Sequence, residues 1–470
     1  MHPEDFRRHA HAAVDWMADY LAGVAELPVT PAVSPGQIRR ALPPGPPVAG
    51  EPFEAMFRDF RELILPGMTH WNHPGWFAYF PGNNSPPSIL AEMLTAAMGA
   101  QCMSWVTSPA ATELEQVTMD WLRQMLGLPA EFVGVIQDTA STATLVALLS
   151  AREHATGGAA GAEGLRESPP LAVYASTEAH SSVDKAVKLA GYGLGRLRRI
   201  PTDERYALRP ELLDRAIAED LAAGIRPACV VASVGTTSST AIDPVAAVAG
   251  ICRRHGIWLH VDAAYAGPAA IVPELRWILD GVAEADSVVL NPHKWLLTNF
   301  DCTAYYVRDP AALVAAFQAS PEYLRTAYDP EVANFRDWGI QLGRRFRALK
   351  LWFVLRSYGV EGLQAMIRGH VALAREVEGW IRDDPAFELM APVPLGLVCF
   401  RLRRSGLDDP ELDELNARLL ARVNATRRVF LTHTRLGGRY AIRLVVGQRT
   451  TERRHVEEAW RLLREAAQAV

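Results

Sequence analysis

IWLHVDAAYAG, residues 257–267, is an apolar run that ends in an acid and then in a series of small residues. It reads as a short buried strand whose last residue, Asp262, stands at the strand's carboxyl end. The segment before it, PVAAVAGICRRHG (244–256), has helical periodicity, and a second apolar run, SVVLNP (287–292), follows. The same alternation extends outward. VGVIQ precedes the helical TATLVALLSAREHA, LAVYAST precedes SSVDKAVKLAG, ACVVASVG comes next, and CTAYYVRD closes the run. Short buried strands separated by helices predict an α/β fold with a mostly parallel central sheet flanked by helices.

The flanks differ from this core. Residues 1–24 carry Phe6, Val14, Met17 and Leu21 among interspersed acids, which predicts an amphipathic helix and not a leader peptide. The proline-dense stretch 28–52 forbids regular helix or inner strand and reads as an extended strap laid over a partner surface. A second amphipathic helix is expected near 52–64. TGGAAGAEG (156–164) reads as an exposed loop. LKLWFVLRSYGVEGLQAMI (349–367) starts a long helix leading to an α+β C-terminal lobe with the strands LGLVCFRL and RYAIRLVV. The expected organisation is an N-terminal helical and extended dimerisation segment (1–85), a large α/β domain (86–352) and a small α+β domain (353–470).

Composition narrows the function. The 470 residues are 49% hydrophobic and 21% charged, with a formal net charge of −5, so no basic nucleic-acid footprint is present. No apolar run approaches the ~20 residues of a membrane helix. The five cysteines, at 102, 229, 252, 302 and 399, form no CxxC pair and no metal-ligand spacing, which points to a reducing compartment and a cytoplasmic protein without a metal.

The chain has four lysines against 44 arginines, and one of the four, Lys294, stands just past the apolar run SVVLNP. Arginine cannot replace lysine where an amine must lose its proton and attack a carbonyl. Desolvation among Leu290, Trp295 and Leu296 would lower the lysine's pKa and make it a nucleophile near neutral pH. An acid at one strand end and a lysine at the next is the pattern that holds pyridoxal 5'-phosphate (PLP): the acid keeps the pyridine nitrogen protonated and the lysine holds the aldehyde. Taken singly, each feature has a plainer reading, Asp262 as a cap or salt bridge and Lys294 as a snorkelling surface residue. QDTAST (137–142) lies between a strand and a helix, where Thr139, Ala140 and Ser141 offer backbone N–H groups to a phosphate; alone it would be a plain N-cap. His180, in EAHSSVDKA, sits where a flat group could cover the ring; a lone histidine there would more often cap or face solvent.

HVDAAYAG, NPHKWLLTNFDC, QLGRRFRALKLWFVLRSYGVEGLQ, THW with FAYFPG, SW with SPA and TELE, and EAHSSV together closely resemble the PLP-dependent aromatic L-amino-acid decarboxylases, the group II decarboxylases of PLP fold type I. The resemblance runs from FRRHAHAAVDWMADYLAGV to TERRHVEEAW. It implies that Lys294 forms the Schiff base, that Asp262 pairs with the pyridine nitrogen, and that His180 stacks on the ring near the substrate carboxylate. It implies that Thr237 and Ala264 line the cofactor and that Ala140, Ser141, Asn291 and His293 help bind the phosphate. Trp71, Tyr79, Phe80 and Pro81 match the aromatic side-chain pocket. The resemblance also implies a homodimer with its active sites at the interface, wrapped by the N-terminal helices.

SPEYLRTAYDPEVANFRDW (320–338) matches a mobile loop of these enzymes, which makes Tyr323 the candidate proton donor. Phenylalanine at this place marks relatives that oxidise as they decarboxylate, so Tyr323 and His180 favour amine formation. Departures bear on the substrate. Animal members have threonine at Gly82, and isoleucine and phenylalanine at Gln101 and Met103, so a DOPA preference does not carry over. Gly343 matches a glycine that plant relatives use for indolic substrates. Asp138 replaces a glycine of the phosphate loop and is expected to point away and cap the helix. The expected activity is decarboxylation of tryptophan, phenylalanine, tyrosine or DOPA. Alternatives are an aromatic aldehyde synthase on the same scaffold, another PLP reaction such as transamination or desulfuration, and a non-catalytic scaffold.

Overall fold

The computed structural model describes residues 1–319 and 321–470. Ser320, the first residue of the segment matched to the mobile loop, lies outside the described residues. The central layer is a seven-stranded sheet of β1 (Val133–Gln137), β2 (Leu171–Ser176), β3 (Leu197–Ile200), β4 (Arg226–Ser233), β5 (Trp258–Asp262), β6 (Ser287–Leu290) and β7 (Thr303–Val307). Their spatial order is β1-β7-β6-β5-β4-β2-β3. Six strands run the same way; β7 is antiparallel to both β1 and β6. Strands β2, β4, β5 and β6 are almost wholly buried, which is why they read as continuous apolar runs and not as alternations.

The helix Ala140–Thr156 packs over one face of this sheet through Ala143, Val146, Ala147 and Ala151, in a cluster with Val173, Val231, Trp258 and Tyr305. The opposite face forms a larger core with Leu259, Val261, Val288 and Tyr306. Arg347–Asp383 is one long helical run bent at Gly359, whose φ of 64° breaks the helical path. Ala348 and Leu351 before the bend and Ile367 after it are buried in the large core, and the last part buries Ala374, Val377 and Ile381 against the C-terminal lobe. That lobe holds β8 (Phe387–Leu389), β9 (Leu397–Leu402), β10 (Thr432–Leu436) and β11 (Arg439–Val445), all antiparallel, in the order β10-β11-β9-β8.

Some local expectations change. Ala159–Glu163 is a short helix and not a loop, anchored by the buried Ala160 and by Glu153, which accepts the Gly161 N–H at 2.8 Å. The strap contains one helical turn, Gln37–Ala41, between its prolines. The first helix, Pro3–Gly23, buries none of its residues; it rests on the helical segment from Phe53 through the stacked pair His9–Phe53 and the edge-on pair Trp16–Phe60. No helix among the described residues is long and apolar enough to cross a membrane.

A buried ion pair ties β1 to the segment before the long helix. Glu115 accepts from Arg344 at 2.7 Å and from the Ile136 N–H at 2.8 Å, while Arg344 also donates to the Ile136 carbonyl. The side chains are 3% and 8% exposed, so removing one strands the other's charge. Glu115→Ala is expected to cost about 3–5 kcal/mol, read by urea denaturation against wild type; a loss below about 1 kcal/mol would show that Arg344 finds its compensation elsewhere.

Candidate active site

The carboxyl ends of the six co-directional strands meet at one edge of the sheet, the place where open α/β sheets bind ligands. A cavity of about 180 Å³ opens there. Thr139, Ala140 and Ser141 reach it from beyond β1, His180 from beyond β2, Ser233, Thr236 and Thr237 from the end of β4, Asp262 and Ala264 from β5, and Asn291, His293 and Lys294 from beyond β6. Every cofactor residue expected from sequence therefore lines one cavity.

Lys294 sits in the single helical turn Pro292–Trp295. Desolvation lowers its pKa, and the charge of Asp262 partly restores it. Its Nζ lies 5.5 Å from the centre of the Phe80 ring. Asp262 is 7% exposed, and its Oδ1 accepts the Ala264 N–H at 3.1 Å. The lysine's backbone is held from outside the sheet. Asn83, 1% exposed, donates to the Lys294 carbonyl at 2.6 Å and to the Gly447 carbonyl at 2.8 Å. Trp295 is fully buried and donates its indole N–H to His370 Nδ1 at 2.9 Å.

The opposite end of the cavity is a helix start. Thr139 caps Ala140–Thr156 by accepting the Thr142 N–H at 3.4 Å, and the small side chains of Ala140 and Ser141 leave the first-turn amides open. Asp138 lies beside the cavity and not in its wall. Its carboxylate accepts from the Thr139 N–H at 2.5 Å and faces Gln341 at 3.4 Å. The helix cap expected of Asp138 is thus supplied by Thr139, because the aspartate carboxylate folds onto the N–H of the residue that follows it. His293 accepts the Cys302 N–H on Nδ1 at 3.1 Å, and burial lowers its pKa to about 3, so its ring is neutral with the proton on Nε2. His180 accepts the Ser182 N–H on Nδ1 at 3.1 Å, and burial lowers its pKa as well.

The residues matched to the substrate pocket fall in two places. Phe80 lines the cavity, stacked on Tyr265 at 3.7 Å, and Tyr265 in turn stacks on Trp295 at 4.8 Å. Trp71 and Tyr79 stack on each other at 5.8 Å beside Gly82, and Pro81 packs against Gly447. Gln101, Met103 and Gly343 form a separate group: Gln101 accepts the Arg344 N–H at 2.7 Å and lies against Gly343, while the Met103 carbonyl accepts the Arg336 N–H. Neither that group nor Tyr323, which is 78% exposed, lines the Lys294 cavity.

Sequence reasoning passed over Asn83, Tyr265 and Arg443. Arg443 is 3% exposed and donates to the carbonyls of Thr237 at 2.8 Å and Tyr79 at 3.3 Å, and to the Thr432 hydroxyl at 2.9 Å. Its guanidinium lies 5.4 Å from the Phe80 ring centre. The available signal was a charge placed inside the otherwise apolar AIRLVV.

A flat, phosphorylated pyridine aldehyde fits this wall. Its phosphate would meet open amides at a positive helix end, its ring nitrogen a buried carboxylate, and its aldehyde a desolvated amine. The fold and the site define a PLP-dependent enzyme. The chain belongs to the pyridoxal-dependent decarboxylases, whose conserved domain matches residues 35–403. It is 45% identical over 99% of its length to a tryptophan decarboxylase of Camptotheca acuminata, covering 94% of that protein. It is 44% identical over 99% of its length to a phenylacetaldehyde synthase of Arabidopsis thaliana, covering 96% of that protein. Its structure is similar to that of Oryza sativa TDC with PLP and tryptamine, with a TM-score of 0.97, 42% identity, and coverage of 100% of this chain and 99% of the other.

Proposed function

We propose that the protein decarboxylates an aromatic L-amino acid (tryptophan, phenylalanine, tyrosine or DOPA) to the amine and CO2. The observation that carries this reading is Lys294, a desolvated amine facing Asp262 across one small cavity. PLP, when bound, supplies an aldehyde for the substrate amine and a ring that takes up the electrons left by the departing carboxylate. The amides of Ala140 and Ser141, with Asn291 and His293, would hold the phosphate. Asp262 would hold a proton on the ring nitrogen. Thr237, Ala264 and His180 would fix the plane of the ring, beside Phe80 and Lys294. Lys294, an amine whose pKa desolvation lowers, would be the residue that holds the aldehyde. A tight ion pair to the substrate carboxylate would be uniform binding and would not speed its loss; an uncharged His180 suits that requirement. Tyr323 returns a proton to the substrate Cα.

The reading includes a homodimer. Gln101, Met103 and Gly343 stand apart from Lys294 in one chain, so a second copy is the natural source of that half of the substrate pocket. Phe6 and Val14 on the N-terminal segment, and Leu90, Leu94 and Met98 on the first helix of the cofactor domain, are exposed apolar side chains that such a copy would cover. On this view residues 1–85 are the dimerisation segment, 86–352 the cofactor domain and 353–470 the small domain. Five buried free thiols suit a reducing, cytoplasmic setting.

The test is product analysis. Purified protein with PLP is given an equimolar mixture of the four amino acids, and products are identified by mass spectrometry. Amines are expected, with tryptamine in front if Gly343 leaves room for an indole. Aldehydes would move the assignment to the oxidative branch, and no product from any of the four would overturn the substrate class.

A further inference from the structure

The catalytic face of the sheet carries polar groups below the cavity that the mechanism above does not use. On β5, residues 258, 260 and 262 project to the same face. His260 is fully buried, pairs in register with Ser287 on β6, and lies in ring contact range of Tyr305 on β7, at 6.2 Å between centroids. The Ser287 hydroxyl lies 3.0 Å from the Trp258 indole nitrogen and 2.9 Å from His260 Nδ1. The indole N–H can only donate, so Ser287 Oγ accepts from Trp258. The other partner within hydrogen-bond distance of that oxygen is His260 Nδ1, and giving it the hydroxyl proton places the imidazole proton on Nε2. His260 Nε2 and the Tyr305 hydroxyl are both fully buried polar atoms without a protein partner. A buried N–H of this kind demands an acceptor.

We infer that His260 is a positioning residue for Asp262: its Nε2–H donates through a buried water to the Asp262 carboxylate and holds that carboxylate oriented toward the place of the cofactor's ring nitrogen. The Tyr305 hydroxyl supplies that water with its further partner, since a buried water needs two to four polar neighbours. Asp262 is the carboxylate whose charge His260 feels, while burial lowers the imidazole's pKa to about 4, so it donates as a neutral group. The other titratable groups around it are Cys229 on β4 and Tyr305 on β7, both held protonated by burial, and His154 on the overlying helix, edge-on to Trp258. A neutral donor suits this place, because a second cation beside Asp262 would compete with the protonated ring for the carboxylate.

This inference rests on the PLP reading, and the experiment separates the two. Wild type, His260→Phe and His260→Gln are loaded with PLP labelled with ¹⁵N in the ring, and the ring-nitrogen NMR shift is measured alongside kcat, KM and urea stability. Phenylalanine keeps the ring's bulk without a donor; glutamine returns an N–H near the position of Nε2. The wild type is expected to show a protonated ring nitrogen. His260→Phe should move the shift toward the unprotonated value and lower kcat about tenfold to a hundredfold, one to two pK units' worth, with KM within about twofold. His260→Gln should recover most of both. If both folded variants keep the wild-type shift, or lose stability without moving it, His260 serves only the buried core and the inference fails. If wild type takes up no PLP, the functional reading itself fails. Should neither variant fold, Tyr305→Phe on the same network provides the measurement, with a smaller shift expected in the same direction and an unmoved one counting against the water bridge.

Discussion

Lys294→Ala is expected to give a folded protein that has lost covalent attachment of PLP and at least about 10³-fold of turnover. The argument is local. The lysine stem occupies the cavity floor beside Phe80, and its backbone is fixed by Asn83 and the Trp295–His370 bond, none of which the substitution touches. Stability should therefore fall little, which urea denaturation checks, while mass spectrometry after borohydride reduction finds no PLP on the chain. Lys294→Arg sharpens the test. Arginine restores the charge near Asp262 but cannot shed its proton, so it should be as inactive as alanine. Recovery by arginine would mean that charge, not nucleophilicity, is what the position supplies. The pH dependence follows with a definite sign. Desolvation lowers the Lys294 pKa in the folded chain, so its reactive neutral form is populated at lower pH than for a free lysine. The rate of PLP attachment should fall as pH drops through that lowered pKa and level off above it. An attachment rate still rising steeply up to the pKa of an ordinary lysine, about 10.4, would show that the amine is not desolvated before the cofactor arrives.

The lysine and the acid were legible in sequence because chemistry limits their alternatives: only an amine can take the role at 294, and both follow apolar strands buried on two faces. The helix start at 139–141 was legible for the same reason, since small residues at a strand–helix junction have few uses. The antiparallel direction of β7 was not, because a buried strand reads alike in either direction and only the chain's return path decides it. Asp138 and Thr139 are both good caps in sequence; which of them bonds to the first turn depends on a single peptide's orientation. Arg443 and Asn83 escaped notice because their roles join segments 206 or more residues apart, the C-terminal strand to Thr237 and Tyr79, and Asn83 to Lys294 and Gly447. Local periodicity carries no record of such contacts. His260 stands as a polar residue inside an apolar strand, yet its tautomer follows only once Trp258 and His260 are seen to converge on the Ser287 hydroxyl.

Tyr323→Phe is expected to divert the reaction from amine to aldehyde. The residue stands on a one-turn helix, Glu322–Leu324, with its ring exposed and its neighbour Leu324 buried as an anchor. The segment beyond it is pinned by Asp329, which accepts from Thr326 at 2.6 Å and from Asn334 at 2.9 Å. A short tethered arm with a phenol at its tip is suited to cover a cavity, and it does not line the Lys294 cavity of its own chain in this arrangement. Once the carboxylate has left, the substrate Cα needs a proton, and positioned acids of this kind contribute about 10²–10⁴-fold. Phenylalanine keeps the ring and its packing but offers no proton. The electron-rich carbon then persists long enough for O2 to oxidise it, and water completes the balance: amino acid, O2 and H2O give aldehyde, CO2, NH3 and H2O2. Amine formation should drop by about 10²-fold or more, with peroxide and aldehyde appearing in equal amounts and oxygen consumed to match, followed by an oxygen electrode and mass spectrometry. Because the ring remains, KM should change little; a rise in KM with kcat unaltered would instead make Tyr323 a binding residue. Amine formation at the wild-type rate would assign the proton to another group, and His180, which lines the Lys294 cavity, would be the next residue to vary.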